Sequence, residues 1–414
     1  MSAVVEGADV IVIGAGVHGA SLAFHLACRG TRVVVVERST AAGGATGRSS
    51  GLVRMHYDLP VEALLAWASF PWFRDWPDRV GGECGFVRTG FLWLEAAEMA
   101  DRLRANVATQ QGLGIATSFV EAGEIRRLAP VLAVGDGDVA AYEPYSGYAD
   151  PAATATGFLR AARDRGARLV QSAEVTAIPV ASGAVTGVET TRGAFAAPVV
   201  VDAAGGWASR VARLVDLDIP VEVWRHDTAY LGAPPEVSLP FPVVIDNANE
   251  LYFRPEGSGL VLAGLEDGNE IGGSPDRDTA DAAPGFADQV VDRIVRRVPG
   301  LASGTFRSAH SGQDGITPDQ RPILGPAGPA GFFLDCGHSG TGFKTAPAVG
   351  LGMSELILDG AATSVDLVPF ALERFAAGRL LEGRHGYRTL WRLGPPGSGP
   401  GGGTTSRTSA PDEG

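Results

Sequence analysis

Positive charge, cysteine and long apolar runs are all scarce in this sequence. Its 34 Lys and Arg are outnumbered by 47 Asp and Glu, for a formal net charge of −13. A chain of that sign repels nucleic-acid phosphates and anionic membranes, so neither is expected as a partner. The balance still allows a local basic pocket for a small anion. Cys28, Cys84 and Cys336 are odd in number and scattered, which excludes a disulfide framework, and no metal site is expected. No apolar stretch approaches the roughly 18 residues of a membrane span. The residues ahead of Asp9 carry no Lys or Arg. The expectation is a cytoplasmic chain without signal peptide or membrane span.

What is present is a globular composition, 45% hydrophobic and 20% charged over 414 residues, enough for two substructures sharing a large core. The stretch from Asp9 to Glu37 organises it. Val10 to Ile13 is a wholly apolar, β-branched run suited to a strand buried on both faces. Gly14, Ala15, Gly16, Val17, His18 and Gly19 follow with the spacing G-x-G-x-x-G. A helix is predicted over 17–29, stopped by Gly30, and then a second strand over 32–36. In such a unit Gly14 makes the tight turn, Gly16 admits a pyrophosphate, and Gly19 lets helix and strand pack closely. The helix N-terminus offers N–H groups and a positive dipole end to the phosphate. Glu37, 18 residues beyond Gly19, suits both hydroxyls of an adenosine ribose, which selects FAD or NAD over NADP.

Further along, Arg38 leads into a loop, 43–51, so rich in glycine and hydroxyls that its backbone is expected to approach a ligand. Residues 60–80 read as an aromatic-rich core helix, 85–94 as a strand, and 97–111 and 121–129 as helices. Helix 150–165 precedes short strands at 167–177 and 184–190, and the apolar strand 199–202 enters a glycine turn. Residues 221–266 read as antiparallel strands, 285–298 as an amphipathic helix, and 346–358 as a last helix. The fold class is therefore α/β: a Rossmann-type nucleotide domain interleaved with an α+β substrate domain built on an antiparallel sheet. The nucleotide domain takes 1–84, 145–220 and 305–375, and the substrate domain 85–144 and 221–304. Residues 392–414, rich in Gly, Pro and Ser, are expected to be disordered.

Six motifs in this order resemble the FAD-dependent amine oxidoreductases of the D-amino-acid oxidase superfamily, in its sarcosine oxidase and glycine oxidase-like branch. They are the N-terminal fingerprint, E-R followed by G-G-A-T-G-R-S-S-G, V-V-D-A-A-G-G-W at 200–207, Y-F-R-P-E-G at 252–257, T-P-D-x-x-P-I-L-G at 317–325, and G-H-S-G-T-G-F-K at 337–344. The resemblance covers about residues 8–375. It implies FAD as cofactor, held beyond the fingerprint by Gly44, Ala45, Thr46, Arg48, Ser49, Ser50, Gly51, Val175, Ala204, Gly205, Trp207 and Gly312. Gly337, Gly340, Thr341, Gly342, Phe343 and Lys344 complete the set, their backbone N–H groups being expected beside the flavin. Arg54 falls on an arginine that grips a substrate carboxylate, Lys344 on a second carboxylate-binding cation, and Tyr252 on a tyrosine near the flavin. His56, His310 and His338 are candidate pocket residues, whereas His25 is expected to serve packing.

Two departures from the family pattern matter. Gly312 stands where monomeric sarcosine oxidases attach flavin through cysteine, and the 43–51 loop lacks the histidine other members use, so FAD is expected to be non-covalent. The oxygen-activating lysine of the oxidases is aligned with Val261, which leaves oxygen or another electron acceptor open as oxidant. The expected reaction is oxidation of the C–N bond of a small carboxylate-bearing amine. Alternatives are oxidation of a hydroxy acid or alcohol, with His56 or His310 as base, and a flavin-binding assembly protein without turnover.

Overall fold

A computed structural model describes residues 6–257, 259–277 and 281–387. The tail expected over 392–414 lies outside them. The first sheet is built around Val10–Ile13, buried at all positions because sheet neighbours and helices enclose both faces. Its six strands run in the order 168–170, 33–36, 10–13, 199–202, 332–336 and 323–326, and all pairs are parallel except the last. Chain order reverses between 10–13 and 199–202, so the carboxyl ends of those two strands form a topological switch point. There Gly14 adopts φ +106°, and a Cβ on it would collide with the carbonyl of Ala203. Helices Val17–Cys28, Pro151–Arg163 and Gly342–Asp359 cover one face of this sheet.

The second sheet has eight strands in the order 305–316, 222–232, 260–265, 251–256, 243–246, 91–95, 139–143 and 118–121. All its pairs are antiparallel except 243–246 with 91–95. Strand Thr305–Ile316 pairs along its length with Glu222–Gly232, so it belongs to this sheet and not to the nucleotide-binding segment that begins at 305 in the sequence reading. Helix Phe286–Arg297 covers the outer face with Val290 and Ile294. The inner face presents Phe91, Ile245, Tyr252 and Leu262.

That alternation corrects one expectation. Val261 points into the outer core, beside Leu231, Phe253 and Ala263, and away from the face that carries Tyr252. Leu262 shares Tyr252's face. A strand alternates with period 2, so a one-residue error in alignment exchanges the two faces.

Candidate active site

One cavity of about 1570 Å³ joins the switch point of the first sheet to the inner face of the second. Its cofactor end is built from backbone. Gly14, Gly16, Val17 and His18 line it, and Gly16 caps helix Val17–Cys28 without a side-chain hydrogen bond, so first-turn N–H groups remain for a phosphate. A Cβ on Gly16 would come 3.2 Å from Thr46 Oγ1, which in turn accepts from Val17 N at 3.0 Å. Glu37 is oriented by three donors, Ala15 N at 2.9 Å, Ser39 N at 2.8 Å and Ser39 Oγ at 3.3 Å. Arg38, Gly44, Ala45, Thr46, Arg48, Ser49, Ser50, Val175, Ala204, Gly205, Trp207 and Gly312 all line the same cavity. Arg48 is folded back onto the carbonyls of Gly43 and Gly44, shaping the loop.

Four other residues expected at the cofactor do not line the cavity, and each has a packing reason. Ala15 gives its N–H to Glu37 and its carbonyl to Ala42 N. Gly19 closes on the Gly14 carbonyl, Gly51 on the Ala149 carbonyl, and Gly337 on Thr317. Gly340 lines the cavity, but its N–H donates to Asp314 Oδ2 at 2.7 Å rather than into the open space. The expected cluster of glycine N–H groups is replaced by the N-terminus of helix Gly342–Asp359, where Gly342, Phe343 and Lys344 line the cavity. That helix has no side-chain cap and no acidic residue in its first turn. These donors and the nucleotide cradle fit FAD.

The substrate end is built from side chains. Arg54 is buried; its guanidinium lies 4.3 Å from the Tyr57 ring centroid and 5.3 Å from that of Trp93, and it donates to the His56 carbonyl. Lys344 Nζ also lies over the Tyr57 ring, 5.8 Å from its centroid. Burial, and then Arg54, push the Lys344 ammonium down to about 7. Two buried carboxyls lie close by: burial raises both, while Glu62 is held back chiefly by Arg321, its ion-pair partner at 3.0 Å, and Glu266 by Arg54. Tyr252 lines the pocket with its hydroxyl 3.3 Å from Thr228 Oγ1.

His56 is fully buried and both ring nitrogens are engaged, Nδ1 with Gln110 Oε1 at 2.9 Å and Nε2 with the Tyr387 hydroxyl at 2.6 Å. Burial and the adjacent Arg54 push its pKa down to about 3, so the ring is neutral. His310 does not line the cavity and leans on the Arg48 carbonyl at 3.4 Å. His18 and His338 stack at 3.4 Å and share Asp335, at 3.1 and 2.9 Å, beneath the cofactor end. His25 is buried beside Trp72 and Phe158, a packing role.

Sequence reading missed Tyr57, three residues from Arg54, and also Glu62, Glu266, Trp93 and the segment 380–387, which meet the substrate end by tertiary contact. One signal was available for Lys344: it is the only lysine in the chain, all the other Lys and Arg positions being arginine. Among the described residues no helix is long and apolar enough to cross a membrane.

The family model described as "FAD dependent oxidoreductase" (DAO) matches residues 9–356. The chain is 30% identical over 385 residues to human mitochondrial sarcosine dehydrogenase, covering 89% of this chain but only 41% of that protein. It is 29% identical to glycine oxidase of Geobacillus kaustophilus, covering 88% and 97% of the two chains. The crystal structure of L-proline dehydrogenase from P. horikoshii superposes with TM-score 0.85 at 26% identity, covering 91% of this chain and 100% of that one. The chain belongs to the DAO family of FAD-dependent oxidoreductases.

Proposed function

We propose that this protein oxidises the C–N bond of a small amino acid or secondary-amine acid to an imine, with FAD held non-covalently. The observation that carries the reading is the buried pair Arg54 and Lys344, set around Tyr57 in the cavity that also holds the nucleotide cradle. Two cations forced together out of water are costly unless an anion sits between them. A carboxylate satisfies both, the guanidinium fork fixing its plane and the ammonium adding charge.

FAD, when bound, supplies the hydride acceptor. The chain's part is to fix the carboxylate, and so to hold the adjacent C–H and neutral amine in one orientation. The cationic field lowers the amine pKa and favours its unprotonated form. Tyr57, Trp93 and Tyr252 wall the site with aromatic surface and exclude water. Glu266, and Glu62 from its pair with Arg321, offset part of the positive charge once the anion leaves. The hydroxy-acid alternative wants a base, and His56 offers only a weak one, its pKa pushed down to about 3 by burial and Arg54 and both its nitrogens bonded. An assembly protein without turnover has no use for a buried carboxylate anchor.

The test is anaerobic titration of the yellow holoprotein with small amino acids, N-methyl amino acids and hydroxy acids. Bleaching of the flavin by amines alone is the expected result. Bleaching by hydroxy acids alone, or by nothing carrying a carboxylate, overturns the proposal.

A further inference from the structure

Beyond the family match, which ends at 356, the chain returns to the cavity. Its root is rigid: Arg374, buried, makes paired bonds to Asp319 at 2.7 and 3.0 Å, and Leu381 N reaches the same carboxylate at 3.1 Å. From a turn at Gly378, φ +64°, residues 380–387 run along the cavity and line it without helix or strand. They meet the body of the protein at four further places. Gly383 sits so close to Asp58 that a Cβ would come within 2.5 Å of its carboxylate. Asn106 Nδ2 donates to the His385 carbonyl at 3.0 Å and Arg102 to that of Gly386 at 2.7 Å. Tyr387 then lies 5.0 Å, ring to ring, from Trp93 and bonds His56 Nε2 at 2.6 Å. Trp93 is thus shared, with Tyr387 against it and the Arg54 guanidinium 5.3 Å from its centre.

We propose that residues 380–387 form a strap over the substrate end of the cavity, and that Tyr387 is the wall limiting the size of the group a substrate carries beyond its carboxylate. The inference rests on the carboxylate reading only for what the wall faces. The segment has one internal backbone bond, Gly386 N to the Gly383 carbonyl at 3.2 Å, and exposes Leu380, Glu382 and Arg384. A segment held by a few separate hydrogen bonds belongs to the part of a protein that opens first. The root stays fixed while the strap lifts, and His56, neutral and pinned by Gln110, is the fixed acceptor for the latch.

The sole lysine makes opening measurable. In the FAD-bound full chain, acetic anhydride followed by hydroxylamine leaves stable acetyl groups on two amines, Lys344 and the α-amine, and mass spectrometry reads the two rates separately. Tyr387→Ala is expected to raise Lys344 labelling about tenfold relative to the α-amine, the effect of losing one hydrogen bond and a ring contact. Tyr387→Phe, which keeps the ring, is expected to give a smaller rise. Across amino acids of growing side chain, kcat/KM of Tyr387→Ala is expected to shift towards the bulkier members, and that of Tyr387→Phe to keep the native order. Unchanged Lys344 labelling in both variants overturns the strap, and an unchanged size order in Tyr387→Ala overturns the wall. Should Tyr387→Ala fail to fold, labelling of Tyr387→Phe decides the strap, and Tyr387→Leu decides the wall. Labelling needs no turnover, so it is read equally well if no amine reduces the flavin and the carboxylate reading has failed.

Discussion

The two ends of the cavity are made by different means. At the cofactor end a single strand–turn–helix–strand unit, residues 10–37, supplies backbone N–H groups, absent Cβ atoms and one oriented carboxylate. At the substrate end Arg54 with Tyr57, Lys344, Glu266 and Tyr387 arrive from four segments far apart in the chain and meet through side chains. Backbone recognition is local and tolerant of the sequence around it. Side-chain recognition depends on strand register and on which surfaces close over which. Loss of an element should therefore damage the two ends independently.

The sharpest attack on that contrast is Val261→Lys. Because Val261 faces the outer core with Phe253 and Leu231, lysine there buries an unpaired charge, at a cost of about 3–5 kcal/mol. A large drop in thermal midpoint is expected, without faster reoxidation of reduced flavin by oxygen. A stable variant with accelerated reoxidation would show that the strand presents residue 261 to the cavity after all.

Next in size, Arg54→Met and Lys344→Met should each slow anaerobic flavin reduction by about 30- to 1000-fold, from loss of about 2–4 kcal/mol of charged hydrogen bonding. FAD retention should hardly change, since neither side chain belongs to the nucleotide cradle. Stopped-flow reduction together with FAD content checks both halves. Native reduction rates in both variants contradict the anchor, and wholesale FAD loss contradicts the independence of the two ends.

The reciprocal change is Glu37→Ala. It removes charge-assisted bonds worth about 1.5–3 kcal/mol, and it also frees the N–H groups of Ala15 and Ser39. FAD affinity, followed by fluorescence on dilution, should fall by about one to two orders of magnitude. The reduction rate of the protein that stays loaded should be near native. Unchanged affinity speaks against the ribose assignment.

The smallest effect is a titration. With ¹³C-labelled lysine the chain gives one side-chain signal, and its midpoint without ligand should lie near 7. A bound carboxylate favours the ammonium, so it should move that midpoint upward, and binding must take up a proton above it. Affinity for a carboxylate inhibitor should thus hold below pH 7 and weaken about tenfold per pH unit above it, until the bound-state midpoint is reached. A midpoint near that of free lysine, or one that the inhibitor leaves unmoved, removes Lys344 from the anchor.

The residues that could be read directly are those whose neighbours in space are neighbours in sequence. The fingerprint, Glu37, the 43–51 loop and the turn at 204–207 are all short-range, and all reach the cavity. Gly19, Gly51 and Gly337 were legible as positions that reject a side chain, but what rejects it is protein backbone or Thr317, not a ligand. The apolar strand 260–265 was legible as a strand, yet its facing was not, since both faces are apolar and leave no polar alternation to set the phase.

The sequence alone determined an acidic α/β chain with a dinucleotide unit at its start and two cations in motifs far apart. It could do so because turns and helix starts impose local chemistry. Tertiary structure decided that Arg54 and Lys344 meet around one tyrosine, and that Leu262 rather than Val261 faces inward. It also decided that strand 305–316 belongs to the antiparallel sheet, and that residues 380–387 come back to line the cavity. Each of these depends on a long-range pairing or packing choice, and no local pattern encodes which distant surface a segment will bury against.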